Sequence, residues 1–225
     1  MAYNDFTLEQ ISQGFGTSIQ SNLDLFATQK QALKLNPAFK EYLDYSTQLA
    51  LSISTEKARS EMIIAPILIE LKRMMGDRIS LFSGTQFEVD PAQGLTGFCD
   101  YLISLSEQQF YIQAPVAVLF EAKNENIKGG LAQCIAAMIA AQVFNHQKAN
   151  AIDTIYGAVT TGNQWKFLKL HQNIAHIDSK DYYIDRLDEI MSILLIWSMD
   201  SDSLSPAISH QLLEGSSKRL FGVIF

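Results

Sequence analysis

Three charged side chains interrupt two apolar stretches of this chain. Asp100 lies within Leu95–Leu105, and Glu121 and Lys123 close the stretch Pro115–Lys123. Because successive side chains of a strand alternate between its two faces, Glu121 and Lys123 would point to the same side. Burying a carboxylate or an ammonium group costs free energy unless the group is paired or used. These residues are therefore the first candidates for a functional site.

A carboxylate pair of this kind suits a divalent metal ion. Two carboxylates that are held close together repel each other, and a cation between them relieves the repulsion. Mg²⁺ is the expected ion, with Mn²⁺ as an alternative, because hard cations prefer oxygen ligands; the carbonyl of Ala122 could add one. Such an ion would lower the pKa of a bound water and neutralise charge on a phosphodiester. Lys123 could orient that water or stabilise the oxyanion.

The two stretches must be neighbouring antiparallel strands if the charges are to meet. In such a pair the start of one strand lies beside the end of the other, so Asp100 would lie near Glu121. Alternating apolar residues and short polar connections predict a three-stranded antiparallel meander over Ile79–Val89, Leu95–Leu105 and Pro115–Lys123.

Helices are predicted on both sides of this meander. Thr55–Met75 precedes it, carries Glu61, and should kink or restart at Pro66. Leu131–Asn145 follows it, carries Gln133, and is apolar on almost every side, so it should pack across the sheet. The later predicted elements are strands over Thr154–Thr161, Trp165–Leu170 and Asn173–Ile177 and a helix over Asp181–Met199.

The order of these residues resembles a known signature. Asp100, twenty intervening residues and then Glu121-Ala122-Lys123 are similar to the motif of the PD-(D/E)xK, or restriction-endonuclease-like, nuclease superfamily. In that superfamily a helix with an acidic residue precedes the strands and a helix with a Gln often follows, and the resemblance covers roughly residues 55–170. Cys99 stands where the motif has Pro, which weakens the match more than the implied chemistry.

The resemblance implies an α/β fold with an αβββαβ core, in which helices flank a mixed central sheet, behind an N-terminal helical extension. It also implies metal-dependent cleavage of nucleic-acid phosphodiester bonds, in DNA rather than RNA. Asp100 and Glu121 would be metal ligands, and Lys123 would position water or stabilise charge. Glu61 would be an accessory acid, and Gln133 a site-orienting amide.

Simpler interpretations stay open at each position. The charges of the two strands could form a solvated ion pair at a strand end, Glu61 could be a first-turn glutamate favoured by the helix dipole, and Gln133 could cap the sheet. Glu70 competes with Glu61 for the role of accessory acid. Trp165 could stack on a base, although core packing is the more common use of such a residue.

The domain prediction has three parts. Residues 1–54 are a helical extension that covers the core or serves as a dimerisation arm, which makes a homodimer possible. Residues 55–200 are the nuclease-like core, and residues 201–225 are a tail of uncertain structure. Thr7 and Gln10 have the spacing of a helix capping box in the extension.

Composition and net charge limit the classes of binding partner that this protein can have. A 225-residue chain with 48% hydrophobic and 18% charged residues is typical of a globular domain. The net charge of −7 argues against a broad surface for nucleic-acid binding, so any contact with nucleic acid must be local. It also favours an alternative function, a catalytically silent module that binds proteins.

The longest apolar runs are too short for a membrane span, the N-terminus lacks a secretory signal, and a cytoplasmic location is expected. Cys99 and Cys134 fit no zinc spacing.

Overall fold

The structure, a computed structural model, describes residues 1–27, 33–150 and 152–197. These residues form a mixed α/β fold in which an eight-stranded sheet is flanked by helices on both faces. The predicted fold class is confirmed at this level. The predicted tail, residues 201–225, lies outside the described residues.

The sheet combines a meander with a parallel crossover. Its strands are β1 (Ser18–Gln20), β2 (Ser80–Gln86), β3 (Phe98–Ser104), β4 (Val116–Ala122), β5 (Thr154–Thr160), β6 (Gln164–His171), β7 (Ile174–Ile177) and β8 (Tyr182–Tyr183). Their order is β1, β7, β6, β5, β4, β3, β2, and β8 pairs with β6. As predicted, β2, β3 and β4 run antiparallel. A helical connection then leads from β4 to the parallel neighbour β5.

Two layers of helix cover the sheet. The helices are α1 (Leu8–Phe15), α2 (Pro37–Ile53), α3 (Glu56–Arg59), α4 (Ala65–Met75), α5 (Ile127–Gln147) and α6 (Leu187–Trp197). Neighbouring residues of β4 serve opposite layers: Leu119 packs in the cluster beneath α5, and Phe120 packs in the cluster beneath α4 and α6. Because both faces of β4 are buried, its apolar run is nearly continuous rather than alternating.

Helix α5 is longer than predicted, because Asn126 caps it before the apolar run begins. The side-chain oxygen of Asn126 accepts a 3.0 Å hydrogen bond from the backbone N–H of Gly129. With 21 residues, α5 is long and apolar enough to cross a membrane by length and composition alone, contrary to the expectation from the shorter run. However, 67% of its apolar window is buried inside the protein, which is consistent with the core helix of a soluble protein.

The predicted helix over residues 55–75 is one helical stretch interrupted by a π-helical turn at Ser60–Ile64. Pro66 is the second residue of α4, which begins directly after this turn, and it lacks the N–H that would otherwise donate to the carbonyl of Met62. The hydroxyl of Ser46 in α2 donates to that carbonyl instead, at 2.8 Å. The predicted restart at Pro66 is therefore confirmed, and it also attaches α2 to this stretch.

Two regions that were predicted as helical contain short strands. The capping box of Thr7 and Gln10 forms as predicted, but Ser18–Gln20 becomes β1 and pairs in parallel with β7. Tyr182–Tyr183 becomes β8, and the last helix starts only at Leu187. Strands of two or three residues are too short to display a periodicity, and they exist because a neighbouring strand pairs with them.

Candidate active site

The pairing of β3 with β4 brings the two candidate carboxylates together. Tyr101 lies opposite Phe120, so the same register places Asp100 beside Glu121. The Oδ2 atom of Asp100 accepts a 2.7 Å hydrogen bond from the backbone N–H of Ala122. In this bond a side chain takes the place of a backbone acceptor at the end of the hydrogen-bond ladder between β3 and β4. The bond holds the Asp100 carboxylate at the end of β4.

Glu121 is completely buried, with 0% of its surface exposed. Among the described residues, neither oxygen of its carboxylate has a hydrogen-bond partner, and the Nζ atom of Lys123 is 3.8 Å away. Burial raises the pKa of Glu121 well above its usual value, and the charge and contact of Asp100 raise this pKa further. Lys123 lowers it only in part. The site thus holds a buried carboxylate whose negative charge lacks sufficient compensation.

Lys123 connects β4 to helix α5. Its Nζ atom donates a 3.0 Å hydrogen bond to Oε1 of Gln133, so the predicted amide lies next to the predicted lysine. The aliphatic part of Lys123 runs across Gly130, where a Cβ atom would lie 3.0 Å from Cε of Lys123 and 2.6 Å from Cγ1 of Val159. Gly130 therefore leaves the space through which Lys123 reaches the carboxylates.

The donor set fits a hard divalent cation. Asp100 and Glu121 supply carboxylate oxygens, and neither oxygen of Glu121 accepts a hydrogen bond from the described residues. The N–H and C=O of a strand residue point toward the same neighbouring strand, so the carbonyl of Ala122 points to the side on which its N–H meets Asp100. The described residues contain no group of three or more His, Cys, Asp or Glu side chains that could hold a metal. Water and substrate would complete the shell, which is typical of Mg²⁺.

Glu61 is not brought together with these residues. Its side chain is 59% exposed and pairs with Lys57 on the same helix at 3.7 Å. Glu70, the competing candidate, is buried but is bound to Arg73 by two hydrogen bonds of 2.7 and 2.6 Å. Glu56, in the first turn of this stretch, is exposed, and its charge makes the smallest of the contributions that raise the pKa of Glu121.

The sequence interpretation did not single out Glu56 or Tyr101. Glu56 follows the helix cap Thr55, so the sequence shows a first-turn glutamate, but only the packing of the helix decides which part of the sheet that turn approaches. The hydroxyl of Tyr101 lies 2.7 Å from the Ser60 hydroxyl and donates to the Ser60 carbonyl at 2.9 Å. This contact fixes the residue next to Asp100 against the π-helical turn.

Phe98 and Trp165 are aromatic residues near the ends of their strands, and they differ from each other in exposure. Phe98 is 66% exposed at the start of β3. Trp165 is completely buried, and its indole N–H donates to the carbonyl of Gly162 at 3.0 Å. Trp165 is therefore a core residue, and base stacking by it is excluded.

The chain was also compared with known proteins. No protein-family model matches it, and no curated protein matches its sequence.

Proposed function

We propose that this protein is a Mg²⁺-dependent nuclease that hydrolyses phosphodiester bonds of nucleic acid, with DNA as the expected substrate. The observation that carries the proposal is the Glu121 carboxylate, which is fully buried between Asp100 and Lys123 and has no hydrogen-bond partner in the part of the chain that the structure describes. A buried charge of this kind is costly, and bound metal would remove the cost.

We further propose that the core is restriction-endonuclease-like. In support, the residues from Glu56 to Thr160 run in the order helix, three antiparallel strands, helix and parallel strand. The carboxylates and Lys123 lie where β3 begins and β4 ends, and Gln133 lies on the helix that follows. These positions agree with the motif that the sequence resembles.

In this proposal each residue has one task. The carboxylates of Asp100 and Glu121 and the carbonyl of Ala122 would hold the ion, which when bound supplies Lewis-acid stabilisation and activates water. Lys123 holds a positive charge beside them, where it stabilises the developing oxyanion or orients the attacking water. Gln133 accepts a hydrogen bond from Lys123 and so fixes the direction of its ammonium group.

The experiment that tests the proposal is Lys123→Ala, assayed with fluorescein-labelled oligonucleotides in the presence of Mg²⁺. We expect cleavage to fall by about 10²- to 10³-fold, because a donor to the transition-state charge is lost. Circular dichroism should stay unchanged, because the alanine variant keeps the backbone hydrogen bond from residue 123 to the Thr160 carbonyl.

Lys148→Ala is the matched control. Lys148 is exposed and follows the C-terminal end of α5, whereas Lys123 contacts the N-terminal part of that helix. Equal rates for Lys123→Ala and the wild-type protein, with Lys148→Ala also unchanged, would exclude the proposed mechanism.

The net charge of −7 supports a second candidate, a catalytically silent module that binds proteins through its acidic surface. The two functions differ in their metal chemistry. A calorimetric titration with Mn²⁺ should show a site in the wild-type protein that disappears in Asp100→Asn if the protein is a nuclease. A silent module should show no such site in either protein.

A further inference from the structure

We propose that the site acts on single-stranded nucleic acid and that Phe98 stacks on a base next to the phosphate that is cleaved. This inference rests on the proposed nuclease function and names its substrate class. It begins from a side chain that the fold does not use: Phe98 is 66% exposed although it belongs to strand β3. The residue opposite it on β2 is Gln86, and no aromatic ring of the described residues is in contact with it.

The position of Phe98 relative to the carboxylates is set by the strand. Phe98 precedes Asp100 by two residues, which in a strand is about 7 Å along the chain. Its ring is therefore at the end of β3 that meets Glu121 and Ala122, not at the far end of the sheet. A nucleic acid whose phosphate lies at the carboxylates would place a nearby base within reach of this ring.

The charges beside Phe98 do not favour a duplex. The register places Gln86 opposite Phe98, and Gln86 and Thr96 both donate to the Glu88 carboxylate, at 3.2 and 3.4 Å. Duplex binding without base recognition depends on several Lys and Arg contacts to phosphates. With Lys123 as the cation of the site, Glu88 beside Gln86 and a net charge of −7, stacking is the larger source of affinity that this edge offers.

Stacking selects for unpaired bases. Within a duplex the two faces of a base are occupied by its neighbours, whereas a single strand can place a base against an aromatic ring regardless of sequence. An exposed ring next to a phosphodiester site therefore fits a single strand, a loop or a frayed end. DNA and RNA share this chemistry, and the experiment includes both.

The test measures binding and cleavage separately. Binding of fluorescein-labelled single-stranded DNA, single-stranded RNA and duplex DNA is followed by anisotropy in the Lys123→Ala background, in which cleavage is slowed by about 10²- to 10³-fold, so little substrate is lost during the measurement. Adding Phe98→Ala should weaken single-strand binding by about 5- to 150-fold, equivalent to about 1–3 kcal/mol, while Phe98→Tyr should stay close to the parent. Duplex binding should be weaker and should not respond.

Phe110→Ala is the matched control. Phe110 is 97% exposed, but it lies between β3 and β4 at the opposite end of these strands, so its removal should change neither binding nor cleavage. The inference is overturned if Phe98→Ala leaves single-strand binding unchanged, if it weakens duplex binding equally, or if the parent binds only duplex. If binding depends on Phe98 but the wild-type protein cleaves nothing, the nuclease proposal fails and the single-strand site stands.

Discussion

Buried acidic side chains differ in how their charge is satisfied. Among the described residues, Glu70 and Asp178 are buried like Glu121. Glu70 is bound by the Arg73 guanidinium, and the Asp178 carboxylate accepts hydrogen bonds from the Tyr182 hydroxyl at 3.1 Å and the Lys180 backbone N–H at 3.0 Å. Only Glu121 in this group has both oxygens without a hydrogen-bond partner. Glu121 is therefore the buried acid of this group whose charge receives the least compensation from hydrogen bonds.

We predict that Glu121→Gln stabilises the metal-free protein at neutral pH, by on the order of 1–3 kcal/mol. The folded pKa of Glu121 is raised above its unfolded value, so its favourable contribution is present at low pH and is lost as pH rises through the folded pKa. The gain from Glu121→Gln should therefore be larger near about pH 8 than near about pH 5. Urea unfolding in EDTA at both pH values measures this difference.

Glu70→Gln is the control for that prediction. It removes one charge from the Glu70–Arg73 ion pair, so it should lower the free energy of unfolding at neutral pH instead of raising it. A destabilising Glu121→Gln, with the same sign as Glu70→Gln, would mean that the Glu121 carboxylate is satisfied in the folded protein.

At the scale of the elements, the site depends on the close approach of helix α5 to strands β4 and β5. Lys123 leaves the end of β4, where its backbone N–H donates to the Thr160 carbonyl of β5 at 2.8 Å, and its side chain then crosses α5 at Gly130. The glycine matters here because of space, since a side chain would occupy the volume that Lys123 and Val159 fill. Helix packing and site geometry are thus coupled at one position.

We predict that Gly130→Ala destabilises the fold by about 1–3 kcal/mol, because an added methyl group overpacks this contact. It should also reduce cleavage, since Lys123 must move. Gly14→Ala is the control: no atom lies within 4 Å of the added Cβ, and an alanine within α1 should stabilise by about 0.5–1 kcal/mol. Thermal unfolding of the two variants gives the comparison, and equal shifts would show that α5 can yield at Gly130.

At the scale of the whole molecule, the burial that stabilises the fold is unfavourable for the charged groups of the site. The two core clusters hold β3, β4 and β5 between layers of helix, and this enclosure is what removes Glu121 from water. The same enclosure makes its negative charge unfavourable. A metal ion that binds only the folded state would therefore stabilise the entire domain, not only the site.

We predict that Mg²⁺ raises the melting temperature of the wild-type protein. At about 100 times the dissociation constant, the gain is about 2.7 kcal/mol. For a domain of this size such a gain corresponds to a shift of about 5–10 °C. Differential scanning fluorimetry in Mg²⁺, with Na⁺ at matched ionic strength as the reference, measures the shift. The shift should be absent in Asp100→Asn; a shift of equal size in that variant would place the ion elsewhere on the protein.

The sequence by itself was sufficient to predict the elements whose apolar residues recur with a clear period. It was also sufficient to identify the charged residues that interrupt this pattern. The meander, the helix that crosses it and the hairpin of β5 and β6 are present as predicted, because the spacing of apolar residues is a local property. The proximity of Asp100 to Glu121 followed from antiparallel pairing alone.

Only the tertiary structure decided that Glu61 lies apart from the carboxylates, that Phe98 is exposed, and that Glu121 has Lys123 beside it but no hydrogen-bond donor among the described residues. The direction of Glu56 or Glu61 depends on a π-helical turn and on how that helix packs, which no local pattern encodes. The exposure of Phe98, and the lack of a hydrogen-bond donor to Glu121 among the described residues, depend on which distant segments lie beside them. The positions of charged residues and the spacing of apolar residues can be seen in the sequence. Burial and hydrogen-bond pairing, in contrast, depend on segments that are far apart in it.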